Sequence, residues 1–173
     1  MQNKKYGILG ATGFLGGHIV NRLDVLKHSS IGGSRRLGVD ARSISSLSNW
    51  IIEHNITHLI NLAAECGGIG LNKLHPSKLW LSTTLITAAV LEAARLNNIS
   101  KLCMIGTVCS YARDCPTPFK EEHLMHYGIP ESTNAAYGVA KLNALFGCQA
   151  YRQEFGFNSI YLLPVNLYGP GDN

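Results

Sequence analysis

A chain of 173 residues, 46% of them hydrophobic, can bury a real core within one domain and is not a disordered polymer. The formal net charge of +4, without a basic block interleaved with aromatics, points away from nucleic acid and toward a small anionic ligand. The five cysteines are odd in number and form no C-x-x-C pair, which reads as reduced thiols of a cytoplasmic protein rather than a disulfide framework.

Lys4 and Lys5 precede an apolar stretch, yet the glycines from Gly7 to Gly17 and the lack of a small-residue cleavage site argue against a signal peptide. Tyr6 to Leu9 reads as a strand and Phe14 to Leu26 as a helix. Between them Gly10-Ala11-Thr12-Gly13-Phe14-Leu15-Gly16 has the spacing G-x-x-G-x-x-G, not G-x-G-x-x-G. Glycines permit a tight turn and close approach of a phosphate, and the free amides at a helix start attract that anion. These seven residues are therefore expected to bind a dinucleotide.

A weak strand near Ser30 to Gly33 leads into Ser34-Arg35-Arg36. NAD-selective folds often place an acid here, whereas arginine suits a 2′-phosphate, so Arg35 and Arg36 predict NADPH. Asp40 is expected either to contact the adenine or to cap the helix Ile44 to Asn55. His58 to Leu62 reads as a third strand, followed by Ala63-Ala64. His54 and His58 straddle a helix end and a strand, so no metal site is expected.

Pro76 to Asn97 reads as a helix with proline in its first turn. Its apolar run, Leu85 to Ala94, is too short to cross a membrane and contains Glu92. Leu102 to Ile105 reads as a strand, Ala135 to Phe155 as a helix with Asn134 as its cap, and Ser159 to Leu163 as the last strand. Strands alternating with helices predict a Rossmann-type doubly wound parallel sheet with helices on both faces, one domain over 1–173. Ligands gather at the carboxyl ends of such strands. Gly10 to Gly16, Leu62-Ala63-Ala64, Ile105-Gly106 with Thr107 to Cys109, and Pro164-Val165-Asn166-Leu167 are thus expected to converge on one site.

Tyr137 and Lys141 stand four apart in the last helix, on one face and one turn apart. An ammonium beside a phenol favours the phenolate, and such a tyrosine can exchange a proton with a sugar hydroxyl or carbonyl.

Several segments together resemble the extended short-chain dehydrogenase/reductase family and, within it, the GDP-L-fucose synthase family. They are Asn61-Leu62-Ala63-Ala64, Gly67-Gly68-Ile69 with Asn72, Gly106-Thr107-Val108-Cys109-Ser110-Tyr111, Tyr137-Gly138-Val139-Ala140-Lys141, and Leu163 to Asn173. The resemblance implies an NADPH-dependent 3,5-epimerase and 4-reductase acting on GDP-4-keto-6-deoxymannose. It implies Tyr137 as proton donor to the sugar O4 and Lys141 on the nicotinamide ribose. Thr107 would stand for the usual serine hydroxyl, and Cys109 for the acid/base cysteine of epimerisation. Val108 departs from a second serine common in the motif. The family continues beyond the position of Asn173 into a smaller sugar-nucleotide domain with a partner histidine, so the chain is expected to be the N-terminal part. His123 and His126 precede Tyr137 and do not take that histidine's role. A homodimer through 76–97 and 135–155 is also implied. Other expectations compatible with the residues are a different sugar-nucleotide epimerase or reductase, and a non-catalytic NADP-binding fragment.

Overall fold

The computed structural model describes residues 4–65 and 68–172; Gly67 and Asn173 from the motifs above lie outside the described residues, as does Cys66, one of the five cysteines. Five strands form one parallel sheet: β1 (Lys5–Leu9), β2 (Ser29–Gly33), β3 (His58–Asn61), β4 (Lys101–Ile105) and β5 (Ser159–Leu162). Their order is β2-β1-β3-β4-β5. The helices are α1 (Phe14–Val25), α2 (Ile44–Glu53), α3 (Gly68–Leu74), α4 (Pro76–Leu96) and α5 (Ala135–Phe155). The fold is Rossmann-like, as the alternation of strands and helices predicts.

Alternate residues of each strand face opposite sides of the sheet. Leu9, Leu59, Leu102 and Met104 point to the face covered by α2, α4 and α5, where they join one core with Trp50, Val90 and Ala144. The register sets Ile8, Ile60, Cys103 and Ile160 in a row on the opposite face. Helix α1 packs against β1 and β2, and Ile8 is fully buried there.

Local chemistry explains the boundaries. Pro76 occupies the first turn of α4, where its missing N–H costs nothing. Ser43, not Asp40, caps α2: the Ser46 amide donates to Ser43 Oγ at 3.2 Å. Asn134 stands at the start of α5 but makes no side-chain cap. Its amide oxygen instead accepts from Asn72 Nδ2 at 2.6 Å, which ties α3 to α5. Helix α3 was not expected, because its seven residues include two glycines and show no apolar period.

Helix α4 corrects another expectation. It has 21 residues and is long and apolar enough, by length and composition, to cross a membrane. Ile86, Ala89, Val90, Leu91, Ala93 and Ala94 are buried in the core, so its apolarity is that of a central helix packed on α2 and α5.

The α2 side of the sheet is shaped by an indole set over glycine. A Cβ on Gly33 would lie 2.8 Å from Trp50 Cζ2 and 3.0 Å from its Cη2. Gly33→Ala is expected to destabilise the fold by ~1–3 kcal/mol, as overpacking does. Trp50→Phe should absorb part of that loss, so the double variant is less unstable than the sum of the singles in urea titrations.

Candidate active site

The chain leaves β1 through Gly10, whose φ of +80° is unfavourable for any residue with a Cβ. A Cβ there would also sit 2.8 Å from the Leu62 carbonyl carbon. A Cβ on Gly16 would overlap the Gly10 carbonyl oxygen, so the first turn of α1 is seated directly on this loop. The Gly10 and Ala11 amides both donate to the Gly33 oxygen, at 2.8 and 3.3 Å, fixing the turn to the end of β2. Gly13 caps α1 without a side-chain hydrogen bond. The first-turn amides of α1 are therefore a docking point for a phosphate.

A cavity of about 290 Å³ opens where β1, β2 and β3 end. Gly10, Thr12 and Gly13 form its floor, Leu62, Ala63 and Ala64 one wall, and Arg35, Arg36, Asp40 and Arg42 the other. Ser34 Oγ, on the same wall, is buried and has no hydrogen-bond partner. An orphaned hydroxyl among arginines, beside a turn that excludes Cβ atoms, fits a phosphorylated nucleotide.

Asp40 does not cap a helix. Its carboxylate accepts from Arg42 Nε at 2.9 Å and Nη2 at 2.8 Å, and from the Arg42 amide at 3.0 Å. The Arg42 side chain, first of these causes, holds the Asp40 carboxyl down at about 2. Glu65, also on the cavity wall, pairs with Lys78 at 2.7 Å, and that contact lowers its pKa. Arg42, Ser34 and Glu65 were missed in the sequence; the D-x-R spacing of Asp40 and Arg42 was the available signal.

A second cluster lies at the end of β4. Ile105 and Gly106 lead into Thr107, which starts a short 3₁₀ turn, Val108–Ser110. Thr107 Oγ1 accepts from the Cys109 amide at 3.2 Å. Ser110, almost fully buried, donates from Oγ to the Gly138 oxygen at 2.9 Å. A Cβ on Gly138 would overlap the Cys109 carbonyl oxygen, so α5 lies flush on this turn beside Tyr137. Lys141 is buried; its Nζ donates to the Ile105 oxygen at 2.9 Å and stands 5.9 Å from the Tyr137 ring centroid. The segments carrying Tyr137, Lys141, Thr107 and Cys109 thus abut at one strand end.

The remaining expected cofactor residues are placed differently. Ala11 lies under β2, where a Cβ on Gly32 would meet its side chain at 2.7 Å. Phe14 packs edge-on against His18 with ring centroids 5.2 Å apart, and Leu15 is half-buried beside it. Pro164 and Val165 line a separate hollow with Val108, Tyr111 and Phe119, and Asn166 and Leu167 are exposed. Among the described residues no group of three or more His, Cys, Asp or Glu is placed to hold a metal ion. His58 is engaged with Thr57 Oγ1 at 2.9 Å instead.

Tyr161 was also missed in the sequence. Its ring covers Gly106, and its hydroxyl donates to the Lys141 oxygen at 3.0 Å. Burial pushes this phenol up to about 12, from an ordinary value of 10.0. The folded protein therefore keeps a proton that the unfolded chain loses above pH 10. Stability tied to Tyr161 is complete below pH ~10 and is lost as pH rises toward ~12. Tyr161→Phe is expected to flatten that loss, by roughly 2–3 kcal/mol across the window, in denaturant titrations at stepped pH.

The model of the NAD dependent epimerase/dehydratase family matches residues 7–173. GDP-L-fucose synthase 1 of Arabidopsis thaliana is 28% identical over 172 residues, covering 99% of this chain and 53% of that protein. GDP-L-fucose synthase of Escherichia coli K12 is 27% identical over 173 residues, covering 100% and 54%. The solved structure of a GDP-mannoheptose C4 reductase from Campylobacter jejuni with NADP bound has a TM-score of 0.90 at 27% identity, covering 100% of this chain and 55% of its own. The chain spans about half the length of the curated relatives it matches. Since the match takes in the glycine turn and the Tyr137–Lys141 helix alike, the chain belongs to the NAD dependent epimerase/dehydratase family.

Proposed function

We propose that this chain carries the NADP(H) site and the proton-handling residues of an epimerase/reductase that converts GDP-4-keto-6-deoxymannose to GDP-L-fucose in the cytoplasm. The observation that carries the reading is the seating of α5 on the Thr107–Ser110 turn, with Lys141 Nζ on the Ile105 oxygen. The arginine wall and the Ser34 hydroxyl support a 2′-phosphorylated dinucleotide.

The chemistry follows from the groups present. The C4 ketone of the sugar acidifies the hydrogens at C3 and C5, so loss of either proton gives an enolate. The Tyr137 hydroxyl and the Thr107 hydroxyl would donate to the C4 oxygen and stabilise that developing charge. Thr107 Oγ1 already accepts from the Cys109 amide, which leaves its O–H as the group to offer. Cys109 would take the proton at one face of the sugar; a proton returned at the other face, by solvent or by the partner histidine that the resemblance implies, would invert the carbon. The residues of the glycine turn and the arginine wall would hold a dinucleotide whose chemistry is hydride transfer, and Tyr137 would give the proton to O4. Lys141, anchored at β4, holds the ribose near the phenol.

With NADPH and GDP-4-keto-6-deoxymannose, a chain as long as the curated relatives is expected to lower NADPH absorbance and form GDP-L-fucose, whereas these 173 residues alone are expected to turn over poorly. Cys109→Ser should slow incorporation of solvent deuterium at C3 and C5 by on the order of 10²-fold or more, with dinucleotide affinity unchanged. A second reading, 4-reduction without epimerisation, is favoured by the likeness to the C4 reductase. On that reading Cys109→Ser leaves turnover intact. Calorimetry that detects NADPH binding but no response to any GDP-sugar would instead favour a non-catalytic binding fragment.

We also propose a homodimer through α4 and α5. Leu81 and Leu85 on α4, and Val139 and Phe146 on α5, are exposed apolar residues, whereas Ile86, Ala89 and Val90 turn inward. Light scattering should give twice the monomer mass, and Phe146→Glu should return the monomer; a monomer at high concentration for the unmodified chain would refute the dimer.

A further inference from the structure

We propose that His18 is a positioning residue for the dinucleotide site: its hydrogen bond to the Pro170 oxygen pins the segment Pro164 to Pro170 between the two ends of the site and slows release of the bound nucleotide. The inference rests on the dinucleotide reading above and deepens it.

The segment leaves β5 after Leu162 with no helix or strand of its own. At its start Leu163 packs against a small core of Tyr111, Ala112, Cys115 and Leu124. Pro164 and Val165 then line the hollow that Val108 also lines. At the far end Gly169 lies over the Phe14 ring, since a Cβ there would sit 3.8 Å from Phe14 Cζ. Phe14 opens α1 directly after the glycine turn. The segment thus joins the Thr107 end of the site to the glycine-turn end. Strands β5 and β1 are three spacings apart in the sheet, roughly 14 Å. The run from Leu163 to Gly169 reaches about 23 Å when extended. Length alone therefore leaves slack. The side chains supply little grip, because Val165 and Tyr168 are 71% and 90% exposed and Asn166 and Leu167 are exposed as well. The course of the segment is set by what holds its far end.

That hold is prepared by local sequence. Gly169-Pro170-Gly171-Asp172 puts proline second and glycine third, the signature of a type II turn. Gly171 has φ +85°, and the Asp172 amide donates to the Gly169 oxygen at 3.1 Å. The turn uses the Gly169 oxygen for itself and leaves the Pro170 oxygen to a donor from another element. His18 Nε2 meets that oxygen at 2.9 Å. The partner is a carbonyl, so the ring nitrogen is the donor. Phe14, one turn earlier on the same face of α1, aims the imidazole by edge-on packing with centroids 5.2 Å apart. His18 itself is exposed and outside the core. Its contact therefore bears on the segment rather than on the fold.

Hydrogen exchange and NADPH release, both measured on the whole chain, test this. His18→Ala should speed amide exchange in peptides covering Val165 to Asp172 and leave exchange in β1 and β4 unchanged. It should release NADPH about fivefold faster in stopped-flow fluorescence, the effect of losing one hydrogen bond of ordinary strength. His18→Gln, whose side-chain amide nitrogen can stand in for Nε2, should bring both rates back to within about twofold of the original. Release from His18→Ala within about twofold of the original overturns the proposal, whether or not exchange rises. So does His18→Gln releasing as fast as His18→Ala, since the ring and not the hydrogen bond would then hold the segment. Either result leaves the dinucleotide reading in place. An unmodified chain that binds no NADPH overturns that reading and this proposal together.

Discussion

The hydrogen bond from Lys141 Nζ to the Ile105 oxygen, 2.9 Å long, is the contact on which the arrangement of the site depends. A buried ammonium must be hydrogen-bonded, because desolvation of an unsatisfied charge costs several kcal/mol or more. The carbonyl at the end of β4 meets that need and thereby fixes how α5 is rotated about its axis. Tyr137 lies one turn earlier on the same face, so its position follows. Gly138 can then press against the Cys109 carbonyl, and Ser110 closes the contact from the other side. Tyr161 holds the main chain of the same lysine. A longer residue at Gly138, or loss of the ammonium, would separate the phenol from the turn that carries Thr107 and Cys109.

Strand order turns this local contact into a track. Because β1 lies between β2 and β3, with β4 next, the loops at the carboxyl rim follow in space as arginine wall, glycine turn, Ala63-Ala64 and Thr107 turn. Neighbouring strands are about 4.8 Å apart, so β2 to β4 spans roughly 14 Å. Charge is graded along it. The β2 end concentrates Arg35, Arg36 and Arg42, the middle offers backbone amides, and the β4 end offers hydroxyl, thiol and phenol groups. An elongated anion with phosphates at its centre and at one end suits that gradient.

All five strands and the four longer helices were legible in the sequence, to within a residue or two at their ends, because apolar period and punctuation agree there. The Tyr137–Lys141 spacing and the glycine turn were legible for the same reason: both are local patterns. What escaped was set by tertiary partners. Asn134 looked like a cap, yet Asn72 from α3 claims its amide. Asp40 looked like an adenine contact or a helix cap, yet Arg42, two residues on, occupies its carboxylate. The orphaned Ser34 hydroxyl cannot be inferred without knowing which polar groups surround it. The run Leu85 to Ala94 looked too short to cross a membrane, yet the whole of α4 is long and apolar enough to do so, and its apolar face is buried in the core.

The departures from the serine pattern after β4 divide one job between two residues. Val108 carries no hydroxyl and lines a hollow with Tyr111 and Phe119. Ser110 has a hydroxyl but spends it on the Gly138 oxygen, so its role is to hold α5 in place. Thr107 is left as the hydroxyl of this turn that can serve a substrate. Its β-branch restricts χ1, and the Cys109 amide fixes one lone pair, so the direction of the remaining O–H is narrowed before any ligand arrives. A serine in the same place would make the same bond with more rotational freedom. On the proposed reading the threonine trades a wider reach for pre-organisation, which would favour a transition-state oxyanion over a loosely placed ground-state oxygen.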